Sequence, residues 1–178
     1  MSLGVLQSLD NGNERVNKII IAPHADDEVI GCSQLLGSSC HVIFTTLMSK
    51  ARRKEAQDLA EEVGFEVEFK DPSFVLHDCF VGLNLKNTII IAPDPILETH
   101  PAHRLAGFSA WQEALRYKVR FATYTTNMMA PYTRELDEED QVDKKSLLGF
   151  YPSQKSLWKN DHKYFLFEGL CEWNPKLG

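Results

Sequence analysis

His24, Asp26, Asp27 and Glu28 place one imidazole and three carboxylates within five consecutive residues. His24 and Asp27 are three apart, so a helical turn at this point aims both at one spot. A neutral imidazole nitrogen and a carboxylate oxygen together suit Zn²⁺ and its first-row neighbours. Asp26 faces elsewhere on such a turn and stays free to act as a base toward an activated water. The bland alternative is that the acids cap the following helix and complement its dipole. A second pair, His100 and His103, is also three apart. It can complete a site of three protein ligands, the usual number in catalytic zinc centres, where a further position is left for water.

Each cluster follows a run that reads as a buried strand. Ile19-Ile20-Ile21-Ala22-Pro23 precedes the first, and Ile89-Ile90-Ile91-Ala92-Pro93 lies upstream of the second. β-Branched runs of this kind suit strands covered on both faces, as in a parallel sheet. Ligands of open α/β sheets bind just beyond the carboxyl ends of such strands. Two strand ends that converge on one ion are harder to explain by helix capping than either cluster alone.

Strands and helices alternate along the chain. Strands are expected at residues 18–22, 41–46, 65–69, 88–92 and 120–125, with a last one at 164–167. Helices are expected from the first cluster through about Gly37, over 54–63, from Pro101 through about Tyr117, and near 153–158. Ala56, Leu59, Ala60 and Val63 carry the helical spacing of the second, and Gly64 is its stop. Pro101 suits a first helical position. Residues 71–87 read as mostly irregular, with a short strand near Phe80. This order predicts an α/β fold, a Rossmann-like three-layer sandwich with a mostly parallel sheet, as one domain over residues 1–178.

His24-Ala-Asp-Asp-Glu28 resembles the His-Pro-Asp-Asp-Glu motif of the LmbE/PIG-L family of zinc-dependent N-acetylglucosaminyl de-N-acetylases. His100-Pro-Ala-His103 resembles its His-Pro-Asp-His motif. Arg52-Arg-Lys-Glu55 is similar to the family's Arg-x-x-Glu helix, and Tyr151-Pro-Ser-Gln154 to its Tyr-x-Ser-Gln segment. The resemblance implies metal ligation by His24, Asp27 and His103. It implies Asp26 as general base and His100 as the group that stabilises the oxyanion or protonates the leaving amine. It also implies substrate contact for Arg52. The implied reaction removes the N-acetyl group from an N-acetylglucosamine-type sugar or conjugate, by attack of a metal-bound water. The implied cofactor is Zn²⁺, with Fe²⁺ or another divalent ion accepted by the same ligand set.

Two positions depart from the family pattern. Ala25 replaces a proline and removes no functional group. Ala102 stands where the family has Asp, and a carboxylate there would fix the tautomer of a neighbouring histidine. Asp94 or Glu98, in the same loop, is the expected substitute. A degenerate relative that binds metal or sugar without turnover is the alternative; the retained Asp26 argues against it.

The remaining features exclude more than they assign. A net charge of −6 argues against a nucleic-acid partner, which would require a basic face. No strand is followed by a Gly-x-Gly-x-x-Gly or Walker-type loop, so nucleotide binding has no motif. No apolar run approaches the ~20 residues of a membrane span, and residues 1–17 lack the features of a secretory signal. A cytoplasmic location is therefore expected, with homo-oligomerisation left open. Cys32, Cys40, Cys79 and Cys171 show no paired spacing and are expected to be reduced. His41, His77 and His162 read as surface or hydrogen-bonded histidines. Residues 134–140 read as a solvated acidic loop or helix face. Core packing is expected for Trp111, whereas Trp158 suits a sugar pocket or the core equally.

Overall fold

The computed structural model describes residues 16–70, 80, 85–127, 130–158 and 163–173. The two isoleucine runs become neighbouring central strands, β1 (Asn17–Ala22) and β4 (Thr88–Pro93), paired in parallel with Ile19 opposite Ile90. β2 (Cys40–Phe44) and β3 (Glu66–Phe69) extend the sheet on one side, and β5 (Arg120–Tyr124) on the other. All four of these junctions are parallel. Side chains alternate across a strand, so one apolar run serves two layers. Ile20 and Ala22 join one buried cluster, while Ile19 and Ile21 join the other.

Helices cover both faces. On the first lie α1 (Asp27–Cys32), α2 (Lys50–Val63) and α4 (Glu138–Leu148), which contribute Val29, Ile30, Ala56, Leu59 and Leu148 to the cluster around Ile20. On the second lies α3 (Pro101–Tyr117), whose Ala106, Ala110 and Ala114 pack in the cluster of Ile21, Ile43 and Ile90. The result is the expected Rossmann-like three-layer α/β sandwich. Among the described residues, no helix is long and apolar enough to cross a membrane.

From β1 the chain moves to β2 on one side, and from β4 it moves to β5 on the other. The two strand ends therefore flank a topological switch point, where open α/β sheets form their ligand crevices. Two close approaches set the helices there. A Cβ on Gly31 of α1 would fall 2.1 Å from the ring of Tyr124, and one on Gly107 of α3 would fall 2.1 Å from the carbonyl oxygen of Pro93. Each glycine lies four residues after a candidate donor, Asp27 and His103 respectively. Hydrogen in place of a side chain lets each helix start close to the sheet.

The C-terminal part departs from expectation. Residues 164–167 were expected as the last strand, but Lys163–Leu166 forms a helical turn, α6. It leads into β7 (Phe167–Glu168), which pairs antiparallel with β6 (Arg134–Glu135) in a separate two-stranded sheet. The closing strand is β8 (Leu170–Trp173), antiparallel to β5. Phe165 packs half-buried against the core from the helical turn, whereas Phe167 opens β7, so their spacing of two belongs to two different elements. The helix expected near 153–158 is a 3-10 turn, Pro152–Gln154, followed by α5 (Lys155–Trp158).

The acidic stretch 134–140, expected as a solvated loop or helix face, runs from β6 into the first turn of α4, where Glu138 and Glu139 are exposed. Asp137 caps this helix by accepting the N–H of Asp140 at 3.0 Å. On its inner side Lys144 is buried. Its ammonium donates to the carbonyls of Ile30 and Phe167 and pairs with Glu168 at 3.3 Å. Glu168 in turn accepts both the N–H and the hydroxyl of Ser33, just beyond α1. A buried charge pair is tolerable only with such supplementary bonds. This one ties the final segment to the helix that carries Asp27.

Cys32 and Cys40 are buried free thiols and Cys171 is a half-buried one. Cys79, His77, His162 and most of the strand expected near Phe80 lie outside the described residues. Phe80 itself is buried in a turn. His41 is half-buried beside Glu68.

Candidate metal centre

β1 ends at Ala22; Pro23 has no N–H to donate to the ladder, although its carbonyl still accepts the N–H of Thr46 at 3.2 Å. The chain then turns so tightly that Asp27 N–H reaches the carbonyl of His24 at 3.2 Å. Asp26 sits at φ 123°, a left-handed conformation that a side chain rarely adopts. Strain of this kind costs on the order of 1–3 kcal/mol and survives only where the surroundings impose it. Here three bonds do so. The Asp26 N–H donates to Glu28 Oε2 at 3.0 Å, and Arg52 Nη2 donates both to Asp26 Oδ1 at 3.1 Å and to the Ala25 carbonyl at 2.7 Å.

The turn brings His24 and Asp27 together, and α3 delivers His103. His24 Nδ1 lies 3.1 Å from His103 Nε2 and 3.2 Å from Asp27 Oδ2, and His103 Nε2 is 3.2 Å from the same Asp27 oxygen. These three atoms form a nearly equilateral triangle. Ligand atoms about 2.1 Å from one ion are roughly 3.0–3.4 Å apart in octahedral or tetrahedral geometry. His100 stands at the same place. Nitrogens of His24, His100 and His103 lie within 4.8 Å of one another, so the three histidines could hold a metal ion.

The charges agree with a cation position. Burial would raise the Asp27 carboxyl, but hydrogen bonds from His103 and His24 hold it far below the usual carboxylate range. Burial would lower His103, but the bonds and charges of Asp27 and Glu98 raise it to about 10. Without a metal, the ring of His103 carries the positive charge that this cluster of acids favours. Asp26 behaves oppositely. Burial first, and then the charge of Asp27, raise its carboxyl well above the ordinary value despite Arg52. A carboxyl of this type is suited to accepting a proton.

Glu98 and Asp94, expected to replace a carboxylate beside His100, are engaged elsewhere. Glu98 Oε2 is 3.3 Å from His103 Nδ1, and its other oxygen accepts the N–H and hydroxyl of Thr126. Asp94 accepts from Ile96 N, Leu97 N, Thr123 Oγ1 and Tyr132 OH. It braces the loop after β4. His100 meets neither in these bonds; its Nδ1 accepts the N–H of Ala102 at 3.2 Å.

The two weaker motif segments also converge on the site. Tyr151 donates its hydroxyl to Glu28 Oε1, and both side chains are buried. Ser153 donates its N–H and hydroxyl to the Glu55 carboxylate at 2.9 and 2.6 Å, one turn beyond Arg52 on α2. The segment after α4 is thereby fixed against the turn that holds Asp26. Burial raises Glu28 to about 7, with the Tyr151 hydroxyl acting in the opposite direction.

A cavity of about 410 Å³ opens over His24, Asp26, Asp27, His100 and His103. Arg52, Gln154, Leu157 and Tyr164 supply further walls. Trp158, weighed for a sugar pocket, is buried in the core instead, and Trp111 packs between Phe108 and Trp173. Leu157 and Tyr164 were missed as lining residues. Their only signal was proximity to the Tyr151–Gln154 segment. Comparison with known proteins found no matching family model, no similar curated protein and no similar solved structure.

Proposed function

We propose that the chain is a metal-dependent hydrolase that removes the N-acetyl group from an N-acetylglucosamine-type sugar or sugar conjugate. The motif resemblance to LmbE/PIG-L deacetylases suggests this reaction. The observation that carries the reading is the triangle of His24 Nδ1, Asp27 Oδ2 and His103 Nε2, with edges of 3.1–3.2 Å, beside a carboxylate outside it, Asp26.

Those three residues would hold the ion, with Zn²⁺ the first candidate and Fe²⁺ the second. Such an ion supplies an acidified water and a polarised acetyl carbonyl. The remaining steps belong to the chain. Asp26 takes a proton from the water, favoured by its raised carboxyl. Arg52 holds Asp26 in place, since one guanidinium nitrogen bonds both its carboxylate and the preceding carbonyl. His100 meets the charge that develops on the acetyl oxygen or the leaving nitrogen. The open cavity admits a sugar-sized group, with Leu157 and Tyr164 as its apolar wall.

The deciding experiment is the metal content of protein purified without chelator, followed by a screen of N-acetyl sugars for acetate release. About one divalent ion per chain, lost in Asp27→Ala, together with released acetate, is the expected result. An ion without turnover would favour a binding-only relative. No ion even after zinc addition would overturn the proposal.

A further inference from the structure

We propose that a second cavity, behind residues 151–158, binds a small aromatic carboxylate, and that its occupant acts on the metal-centre cavity through the wall the two share. The inference stands apart from the hydrolase reading, because neither an ion nor a sugar enters it.

This cavity, of about 380 Å³, lies against the same stretch of chain that walls the metal centre. Leu148, Tyr151 and Trp158, all buried, and half-buried Phe165 give it an apolar lining with three aromatic rings. Lys145 and Lys155 also line it, and both are exposed. The spacing explains how charge and apolar surface come together. Lys145 and Leu148 are three apart on α4, and Lys155 and Trp158 are three apart on α5. Each helix thus presents one lysine and one apolar residue on a single face. A lysine stem lies along apolar surface while its ammonium stays in water.

Charge selects the ligand. No carboxylate lines this cavity, in a chain with 25 acidic and 19 basic residues. Lys54, Lys70 and Lys144 each pair with an acid, but Lys145 and Lys155 pair with none among the described residues. Two unpaired ammoniums beside three aromatic rings fit an anion with a flat apolar body. The rings favour offset or edge-on contact with that body, and the lysines meet the carboxylate at the rim. Ligand pockets run from about 300 to 1,000 Å³, and a volume at the low end limits the body to one or two rings.

The shared wall gives the site a consequence. Gln154 and Leu157 line the metal-centre cavity, whereas Lys155 and Trp158, one residue on, line the second. Tyr164 and Phe165 divide in the same way. One layer of chain therefore has a cavity on each side. Tyr151 extends the link, since it walls the second cavity and donates its hydroxyl to Glu28 in the first turn of α1. An occupant packed on Trp158 and Phe165 fixes the positions of Leu157 and Tyr164, and with them the apolar wall of the metal-centre cavity. Two such sites are coupled when both occupants favour one arrangement of the wall.

The test is a titration of ¹⁵N-labelled protein with 2-naphthoate, followed in proton–nitrogen correlation spectra. Prior treatment with chelator leaves no ion to take the carboxylate. Trp158→Phe identifies the Trp158 indole signal, and Gln154→Glu the Gln154 side-chain amide. Both signals should shift along one saturable curve, with an affinity on the order of 0.1–1 mM for a ligand of this size. Lys145→Gln and Lys155→Gln should each weaken binding about two- to fivefold, and the neutral 2-naphthalenemethanol should bind about tenfold more weakly than the acid. Both lysine side chains are exposed, so these variants should keep the parent Tm. No saturable shift of Trp158, or equal affinity for the alcohol, would overturn the site. So would unchanged affinity in both lysine variants with loss in Arg52→Gln, which would put the carboxylate at the metal centre. A shift of Trp158 with an unmoved Gln154 would overturn the coupling and show that the wall is rigid.

Discussion

Glu98 and His103 form a carboxylate–imidazole pair on the side of the ring away from the cluster, with Glu98 Oε2 3.3 Å from Nδ1. Nε2 of the same ring is 3.2 Å from Asp27. Glu98 thus orients a candidate ligand and increases its basicity, the usual task of a carboxylate behind a metal-binding histidine. Glu98→Gln keeps the shape and removes the charge. Zinc affinity should fall about 10–100-fold, measured by competition with a chromophoric chelator. At saturating zinc, kcat should change far less. An unchanged affinity would rule out this role.

Tyr151 supports Glu28 from across the chain, and Tyr151→Phe would leave a buried carboxyl without that donor. Loss of a partner for a buried polar group costs about 1–3 kcal/mol. The sign with pH follows from Glu28, which burial raises from 4.5 to about 7. The folded state therefore binds more protons than the unfolded state between those values, and its stability declines as pH rises through that window. Removal of the hydroxyl, which favours the ionised form, moves the folded value higher and extends the decline. In zinc-free protein the Tm deficit of Tyr151→Phe should be larger at pH 8 than at pH 5. An equal deficit at both would mean that Glu28 is ionised throughout.

Gly107 permits α3 to meet β4, and Gly107→Ala tests whether that contact sets the site. Alanine in a helix interior usually stabilises by roughly 1 kcal/mol over glycine. Here the added Cβ would fall 2.1 Å from the backbone oxygen of Pro93, which no side-chain rotation relieves. Overpacking costs about 1–3 kcal/mol, so the net effect should be destabilising. His103 lies one turn away and would shift with the helix. A drop in both Tm and zinc affinity is expected. Retained affinity would show that α3 can slide without carrying His103 off the cluster.

The parts of the fold that were legible share one property: their sequence pattern matched their burial. Ile19–Ile21 and Ile89–Ile91 are enclosed on both faces, so continuous apolar runs described them well. Pro101 and Tyr117 bound α3 as expected, its start marked by a first-turn proline. Glu138–Leu148 failed the same approach. Its first turn is wholly acidic, and of its buried residues, Lys144 and Leu148, the first is a charge that pairs with distant Glu168. The site divides similarly. His24, Asp26, Asp27, His100 and His103 lie close in sequence within two motifs and could be found there. The bonds of Glu98 to His103, Tyr151 to Glu28 and Ser153 to Glu55 could not, because tertiary packing chooses those partners. The segment carrying Tyr151 and Ser153 was singled out by motif alone, with no hint of what it would touch.

His103 links metal uptake to proton release. Its folded value of about 10 means that the ring is protonated at pH 8 in zinc-free protein. Asp27, held far below the ordinary carboxylate range, has no proton to lose. An ion bound at Nε2 must displace a proton from His103, and displacement of one proton strengthens apparent affinity tenfold per pH unit. Calorimetric titration with zinc at pH 8, in buffers of different ionisation enthalpy, should report about one proton released on account of this ring. Glu98→Gln removes one cause of the raised value, so its proton count should be smaller at the same pH. A count of zero in the parent would mean that His103 is neutral before the metal arrives, and that its charged pair with Asp27 and Glu98 is not the resting state of the site.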